Sequence, residues 1–87
     1  MMQPVHFSAK KIAVLRQLLQ CFPAGETFSQ LEVDARIRGP LPGIRGIDPT
    51  DERFEITHLR RGLIEIGYLA REIDGSRYWR KEESRDL

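Results

Sequence analysis

Residues 59–80 read LRRGLIEIGYLAREIDGSRYWR, and the spacing of the apolar side chains changes within this stretch. Up to residue 66, leucine and isoleucine recur at helical intervals, and the Gly67 that follows is a typical helix terminator. Beyond that glycine, an Asp-Gly pair at residues 74–75 separates two short segments of strand-like composition. The stretch therefore predicts a helix that leads into a β-hairpin.

Two helices are expected upstream of this stretch. Ser8 is a suitable cap for a first helix from about Ser8 to Cys21, whose apolar residues recur every three or four positions. The pair Thr-Phe at 27–28 favours a very short strand. The capping-box sequence SQLE at 29–32 then predicts a second helix that ends near Arg38.

Residues 39–50 connect the second helix to the third. Their sequence, GPLPGIRGIDPT, holds three glycines and three prolines, which is too many for a regular helix or strand, so we predict a loop. The third helix is expected to begin between Pro49 and Thr57, with Asp51 or Thr57 as its cap. Phe54 and Ile56 are assigned to a turn that leads into this helix.

The order helix, short strand, helix, helix, strand, turn, strand predicts an α+β fold of the winged-helix type. In that fold a helix-turn-helix presents its second helix, here the third of the chain, and the hairpin forms a wing. One domain is expected over residues 1–87, with an ordered core at about 8–81 and a frayed polar tail at 82–87.

The composition excludes several classes of protein. The 87 residues are 40% hydrophobic and 31% charged, which is typical of a folded domain. No apolar run approaches a membrane span and no signal-peptide pattern is present, so a cytoplasmic protein without membrane contact is expected. Cys21 is the only cysteine and the two histidines, His6 and His58, are far apart, so no disulfide, metal or cofactor is expected. No nucleophile stands near a base and an orienting acid in a recognisable arrangement, so we predict no enzymatic activity.

The formal net charge of +1 conceals an uneven distribution of charge. Between residues 58 and 81, six basic residues face three acidic ones. A local positive field attracts a polyanion whatever the total charge, so this segment is interpreted as a contact region for double-stranded DNA. The candidate contact residues are His58, Arg60 and Arg61 on the third helix, and Arg71, Arg77, Arg80 and Lys81 around the hairpin.

An alternative role for these arginines is pairing with nearby acids. On the third helix, the acids within reach are Glu55, Glu65 and those of the second helix. On the hairpin, they are Glu72 and Asp74.

Two adjacent aromatic residues stand at 78 and 79, Tyr and Trp, and they point to opposite faces of a regular strand. One of them should complete the core, and the sequence leaves open which.

The run LRRGLIEIGYLAR at 59–71, followed by DGSRYW at 74–79, resembles the closing signature of a bacterial family known as domain of unknown function 2087. Upstream residues of similar pattern extend the resemblance to about residues 8–81; they are Val14, Leu15, Leu18, Phe22, Gly25, Phe28, Ser29, Glu32 and Val33. Such domains occur alone or attached to helix-turn-helix regulators, so the resemblance implies a winged-helix-like fold and a role near transcription. Gln30 stands where an acid is more usual, and the stretch from 39 to about 55 is longer than the typical link.

Two functions follow from these observations. The first is that of a bacterial winged-helix domain of the transcription-regulator type, which binds double-stranded DNA through the third helix and the wing. The alternative is a non-catalytic protein-interaction module on the same fold, in which the first helix or the wing docks another regulator or a second copy of the chain. The sequence isoelectric point of about 7.9 favours this alternative more than a strongly basic domain would.

Overall fold

The computed structural model describes residues 8–48 and 50–81. Three α-helices and three short strands follow one another in the predicted order, so the α+β prediction is confirmed. They are α1 (Ala9–Leu19), β1 (Thr27–Phe28), α2 (Gln30–Arg38), α3 (Ile56–Glu65), β2 (Leu69–Arg71) and β3 (Tyr78–Arg80). Two 3₁₀ turns, Leu41–Gly43 and Glu52–Phe54, lie between α2 and α3. The predicted tail at 82–87 falls outside the described residues.

The first two helices begin at the caps that the sequence predicts. The Ser8 hydroxyl accepts a hydrogen bond from the Lys11 amide at 3.1 Å. At the start of α2, the Ser29 hydroxyl accepts from the Glu32 amide at 3.1 Å, and the Glu32 carboxylate accepts from the Ser29 amide at 2.8 Å. This reciprocal pair is a complete capping box. The end of α1 comes at Leu19 rather than at Cys21, because the next amides bond to carbonyls only three residues back.

The predicted caps of the third helix were wrong. Asp51 caps the 3₁₀ turn Glu52–Phe54 instead, where its side chain accepts from the Arg53 amide at 2.9 Å. Thr57 lies inside α3, and the residue before that helix is Glu55, which makes no side-chain cap. The reason is the burial of Phe54, which holds the 3₁₀ turn against the core, so the chain must pass through an extended Glu55 before the helix starts.

The link between α2 and the second 3₁₀ turn is more ordered than the glycine and proline content predicts. Its first part forms the 3₁₀ turn Leu41–Gly43, in which the Gly43 amide donates to the Pro40 carbonyl at 2.9 Å. The fixed φ of proline suits the start of such a turn. Three apolar side chains of this link, Leu41, Ile44 and Ile47, then pack against the core. The prediction of a wholly irregular loop was therefore wrong for its first half.

The second half of the link is expected to exchange its amide hydrogens faster than the first half. The amides of residues 45–48 donate to no backbone carbonyl among the described residues, whereas those of Gly43 and Ile44 each do. A segment whose amides form no hydrogen bonds opens locally at a free-energy cost near zero. Hydrogen exchange followed by NMR should show nearly unprotected amides at 45–48 and slower ones at 43–44. Equal protection at residues 43–44 and 45–48 would contradict this assignment.

The sheet is antiparallel with the strand order β1-β3-β2. Its register places Tyr78 opposite both Phe28 and Arg71, and Trp79 opposite Thr27. Residues directly opposite each other share a face, so Tyr78 joins Phe28 on the face toward the helices. Tyr78 is 3% exposed and Trp79 is only half-buried, so Tyr78 is the aromatic residue that completes the core.

A tight turn carries the chain from α3 into the hairpin, as predicted at Gly67. The Tyr68 amide donates to the Leu63 carbonyl and the Gly67 amide to that of Ile64, which together form a Schellman motif. This motif needs a left-handed residue, and Gly67 has a φ of +92°. The hairpin turn is closed by a bond of 2.8 Å from the Gly75 amide to the Glu72 carbonyl, which confirms the predicted turn at Asp-Gly.

The core lies between the three helices and the inner face of the sheet. Phe22, which follows α1, is fully buried and meets Phe28 edge-to-face with ring centroids 5.4 Å apart. Helices α1 and α3 pack closely at Gly62, where a Cβ atom would lie 3.3 Å from both terminal methyl carbons of Leu15. The absence of a side chain at this position lets α3 approach α1.

Candidate nucleic-acid interface

Arg60 lies at the contact between α2 and α3. One of its guanidinium nitrogens, Nη1, is 2.7 Å from Oδ1 of Asp34, and both side chains are 17% exposed. A charge-assisted hydrogen bond in so sheltered a place holds the two helices together more firmly than a surface pair would. Arg60 thus pairs with an acid of the second helix, which is one of the alternatives left open by the sequence.

Arg61 points away from this contact. Adjacent residues diverge by about 100° around a helix, and Arg61 is exposed whereas Arg60 is half-buried. Within the described parts of the chain it has no ion pair or hydrogen bond. His58, half-buried and three residues earlier, lies on a neighbouring part of the same helix surface. Arg61 is therefore the arginine of α3 that is available to a ligand.

Arg71 approaches α3 from the hairpin. It stands opposite Tyr78 in the register, which starts its side chain on the face of the sheet toward the helices. Its Nη1 atom lies beside the turn of the hairpin, 3.6 Å from the place that a Cβ of Gly75 would occupy. Arg71 is exposed and has no ion-pair partner in the segments 8–48 and 50–81.

These arginines meet in a groove of about 320 Å³ between α2, α3 and the hairpin, which we call the arginine groove. It is lined from α3 by Arg60, Arg61, Ile64 and Glu65. The other walls are Gln30, Arg71 and Tyr78. None of these lining residues belongs to the described part of the long link after α2.

The electrostatics of the groove combine two unpaired cations with one carboxylate. Arg60 is balanced by Asp34, which leaves Arg61 and Arg71 against Glu65. Glu65 also interacts with Lys11 of α1: burial lowers the pKa of Lys11, and the Glu65 charge opposes that shift. The net charge of the groove is therefore positive, and one singly charged anion would balance it.

A family model described as "Uncharacterized protein conserved in bacteria (DUF2087)" matches residues 6–80. The chain belongs to this family. The match includes all residues that line the arginine groove, and it confirms the resemblance carried by residues 59–79. No curated protein and no solved structure matches the chain.

The remaining candidate residues of this DUF2087 chain lie around the hairpin. Arg80 is half-buried, and its Nη1 donates to the Phe22 carbonyl at 3.2 Å, which ties β3 to the segment after α1. Arg77 is 3.3 Å from Glu72, the cross-hairpin pairing that the sequence left open, and both side chains are largely exposed. Lys81 is exposed, and its amide continues the pairing of the hairpin by donating to the Tyr68 carbonyl.

Two arginines outside the predicted set also prove to be engaged within the DUF2087 fold. Arg36 of α2 donates to the Cys21 carbonyl at 2.8 Å and lies 4.8 Å from the ring centroid of Phe28. Arg53 hydrogen-bonds to Asp51 and holds the pKa of that carboxyl at about 2. No spacing rule identifies Arg36, because its partner carbonyl is 15 residues away.

Two other observations concern the described part of this DUF2087 chain. In residues 8–48 and 50–81, no three side chains of His, Cys, Asp or Glu come together to hold a metal ion. None of the described helices has the length and apolar character needed to cross a membrane.

The pair of Arg60 and Asp34 is expected to contribute measurably to stability. A double-mutant cycle with Asp34→Ala and Arg60→Ala should give a coupling energy of about 1–3 kcal/mol in urea unfolding, because each single variant leaves a sheltered charge without its partner. The matched control is the pair of Asp51 and Arg53, which has the same 2.7 Å separation but a 70% exposed arginine. Its coupling should be much smaller. Equal coupling energies for the two pairs would show that burial from solvent does not strengthen the ion pair.

Proposed function

We propose that this DUF2087 chain is a winged-helix domain that binds double-stranded DNA through α3 and the β2–β3 hairpin, without catalytic activity. The order of elements and the strand order β1-β3-β2 support this proposal, since a helix-turn-helix followed by a wing needs that sequence of elements. The helix α3 packs against α1 at Gly62 and against α2 at Arg60, and it leaves a stripe of Thr57, Arg61 and Glu65 exposed.

The observation that carries the proposal is the convergence of Arg61 and Arg71 on one groove. These arginines come from α3 and from β2, and neither has an acidic partner in the described residues. When a groove of the DNA lies against α3, the phosphate backbone at the edge of that DNA groove lies against the hairpin, which forms the wing. Two unpaired guanidinium groups at that junction suit such a backbone, because arginine binds phosphate through two parallel hydrogen bonds.

The other basic residues take different roles in this proposal. Lys81 lies exposed at the end of the hairpin, where it adds electrostatic attraction along the backbone, and Arg77 adds less because Glu72 is 3.3 Å away. His58 faces the same side of α3 as Arg61. Arg60 and Arg80 act through the fold: the first fixes α3 on α2, and the second fixes the hairpin on the end of α1.

The experiment is a fluorescence-anisotropy titration of labelled random and candidate promoter duplexes at several salt concentrations. Backbone binding releases counterions, so the logarithm of the association constant should fall linearly with that of the salt concentration, with a slope of roughly −2 to −4 for about two to four phosphate contacts. Similar affinity for both duplexes indicates backbone contacts, and a preference for one indicates base contacts. No binding to either duplex at low salt would contradict the proposal.

A second candidate function is self-association of the chain, and two exposed apolar side chains favour it. Ile73 at the hairpin tip is 98% exposed and Leu31 in the first turn of α2 is 79% exposed. Isolated surface leucines are common, but an aliphatic side chain at a protruding tip is a candidate anchor for a partner. Sedimentation velocity tests this candidate: a dimer that Ile73→Asp converts to a monomer would support it, and a monomeric wild-type chain would exclude it.

A further inference from the structure

Three residues from three elements line the arginine groove, and each carries a donor group with no protein partner in the described segments. Two are the guanidinium groups of Arg61 on α3 and Arg71 on β2. The third is the hydroxyl of Tyr78 on β3, which makes no hydrogen bond within the described segments. Converging donors of this kind fit an oxyanion better than any neutral or cationic ligand.

The position of the Tyr78 hydroxyl follows from the burial of its ring. The residue is 3% exposed, yet no polar side-chain atom of the described chain is both fully buried and without a hydrogen-bond partner. The small exposed part of Tyr78 must therefore include its hydroxyl, and the surface that it reaches is the arginine groove, which it lines. A phenylalanine would keep the buried ring and lose only the hydroxyl, which is the part of Tyr78 that can donate to a ligand.

We propose that the arginine groove binds one phosphate group, held by the guanidinium groups of Arg61 and Arg71 and by the hydroxyl of Tyr78. The volume of about 320 Å³ accommodates a phosphate together with several waters. In assigning that phosphate to the backbone of duplex DNA, the inference rests on the proposed function.

The charge of the groove matches one phosphodiester. Two unpaired arginines stand against the carboxylate of Glu65, whose own charge is partly offset by Lys11. A diester of the DNA backbone carries one negative charge, which the groove can neutralise. A duplex also makes backbone contacts outside the groove and releases counterions, whereas inorganic phosphate gains only the groove contacts, so inorganic phosphate should bind more weakly than the duplex.

The test compares three groove variants with a control for binding of a short duplex at low salt. Tyr78→Phe keeps the buried ring and removes one hydrogen bond, so affinity should fall roughly twofold to tenfold. Arg71→Gln should weaken binding about tenfold and make the salt slope shallower by about one. Glu65→Gln should have the opposite effect and tighten binding. The control, Arg16→Gln, removes an exposed arginine of α1 and should leave affinity unchanged.

A second arm follows the side-chain Nε–Hε signals of Arg61 and Arg71 by NMR during titrations with the duplex and with inorganic phosphate. Both signals should shift strongly with the duplex and only slightly with inorganic phosphate. If the duplex binds while Tyr78→Phe and Arg71→Gln match the control, the groove inference is overturned and DNA binding stands. If inorganic phosphate shifts both signals and the duplex does not bind, the backbone is the wrong source and DNA binding fails. If neither the duplex nor inorganic phosphate shifts either signal, the groove does not bind a phosphate group.

Discussion

Replacement of Phe22 by alanine is expected to lower the free energy of unfolding by about 3–5 kcal/mol. The ring is fully buried, and it packs edge-to-face against Phe28 at 5.4 Å. The backbone at Phe22 also accepts the hydrogen bond from Arg80 that ties the hairpin to the end of α1. A domain of this size has a total stability of about 5–15 kcal/mol, so the variant should lose a large share of it.

Urea unfolding followed by circular dichroism measures this loss. The control is Ile73→Ala, which removes an aliphatic side chain that is 98% exposed at the hairpin tip. Its stability should stay within about 0.5 kcal/mol of the wild type. A loss below about 1 kcal/mol for Phe22→Ala would mean that the junction of α1 with the sheet is not part of the core.

Charge reversal at Arg61 is expected to reduce the affinity for duplex DNA about tenfold or more at low salt. The variant Arg61→Glu loses one phosphate contact and adds a second carboxylate beside Glu65 in the arginine groove. Each lost contact should also make the salt slope shallower by about one. The side chain is exposed and has no partner in the described segments, so the fold should be unaffected.

The matched control is Arg16→Glu, which makes the same change of charge on an exposed position of α1. Anisotropy titrations of both variants separate a local contact from the effect of net charge. Equal losses for the two variants would show that DNA responds only to the total charge of the protein, and that α3 is not the contact surface.

Local features of the fold could be predicted from the sequence because each depends on residues a few positions apart. The caps at Ser8 and Ser29 need only a hydroxyl and an amide three residues later. The end of α3 needs only a glycine that tolerates a φ of +92°. Hydrogen bonds of such short range form in nearly any tertiary context, so the pattern identifies them reliably.

Features that depend on distant partners could not be predicted. The burial of Tyr78 follows from its pairing with β1 and β2 at once, and alternation within one strand cannot choose between two registers. The packing of Ile44 and Ile47 similarly requires the core that the link lies against. The cap of α3 was misplaced because the burial of Phe54 decides where the helix begins.

The same distinction applies to the candidate site. The sequence identified Arg60 and Arg61 together, but only their neighbours in space separate their roles. Asp34, which pairs with Arg60, is 26 residues away. The hydroxyl of Tyr78 was absent from the predicted site, since a register is needed to bring it to the groove.

In the proposed complex, α3 and the hairpin together form the surface that contacts duplex DNA. This contact can be followed by an NMR titration of ¹⁵N-labelled protein with a duplex at low ionic strength, where salt screening is weakest. The largest amide shifts are expected at Arg61 and Glu65 of α3 and at Arg71 and Gly75 of the hairpin, with little change at Arg16 and Gln17 of α1. An absence of shifts in α3 and the hairpin, or shifts confined to α1, would contradict the proposal.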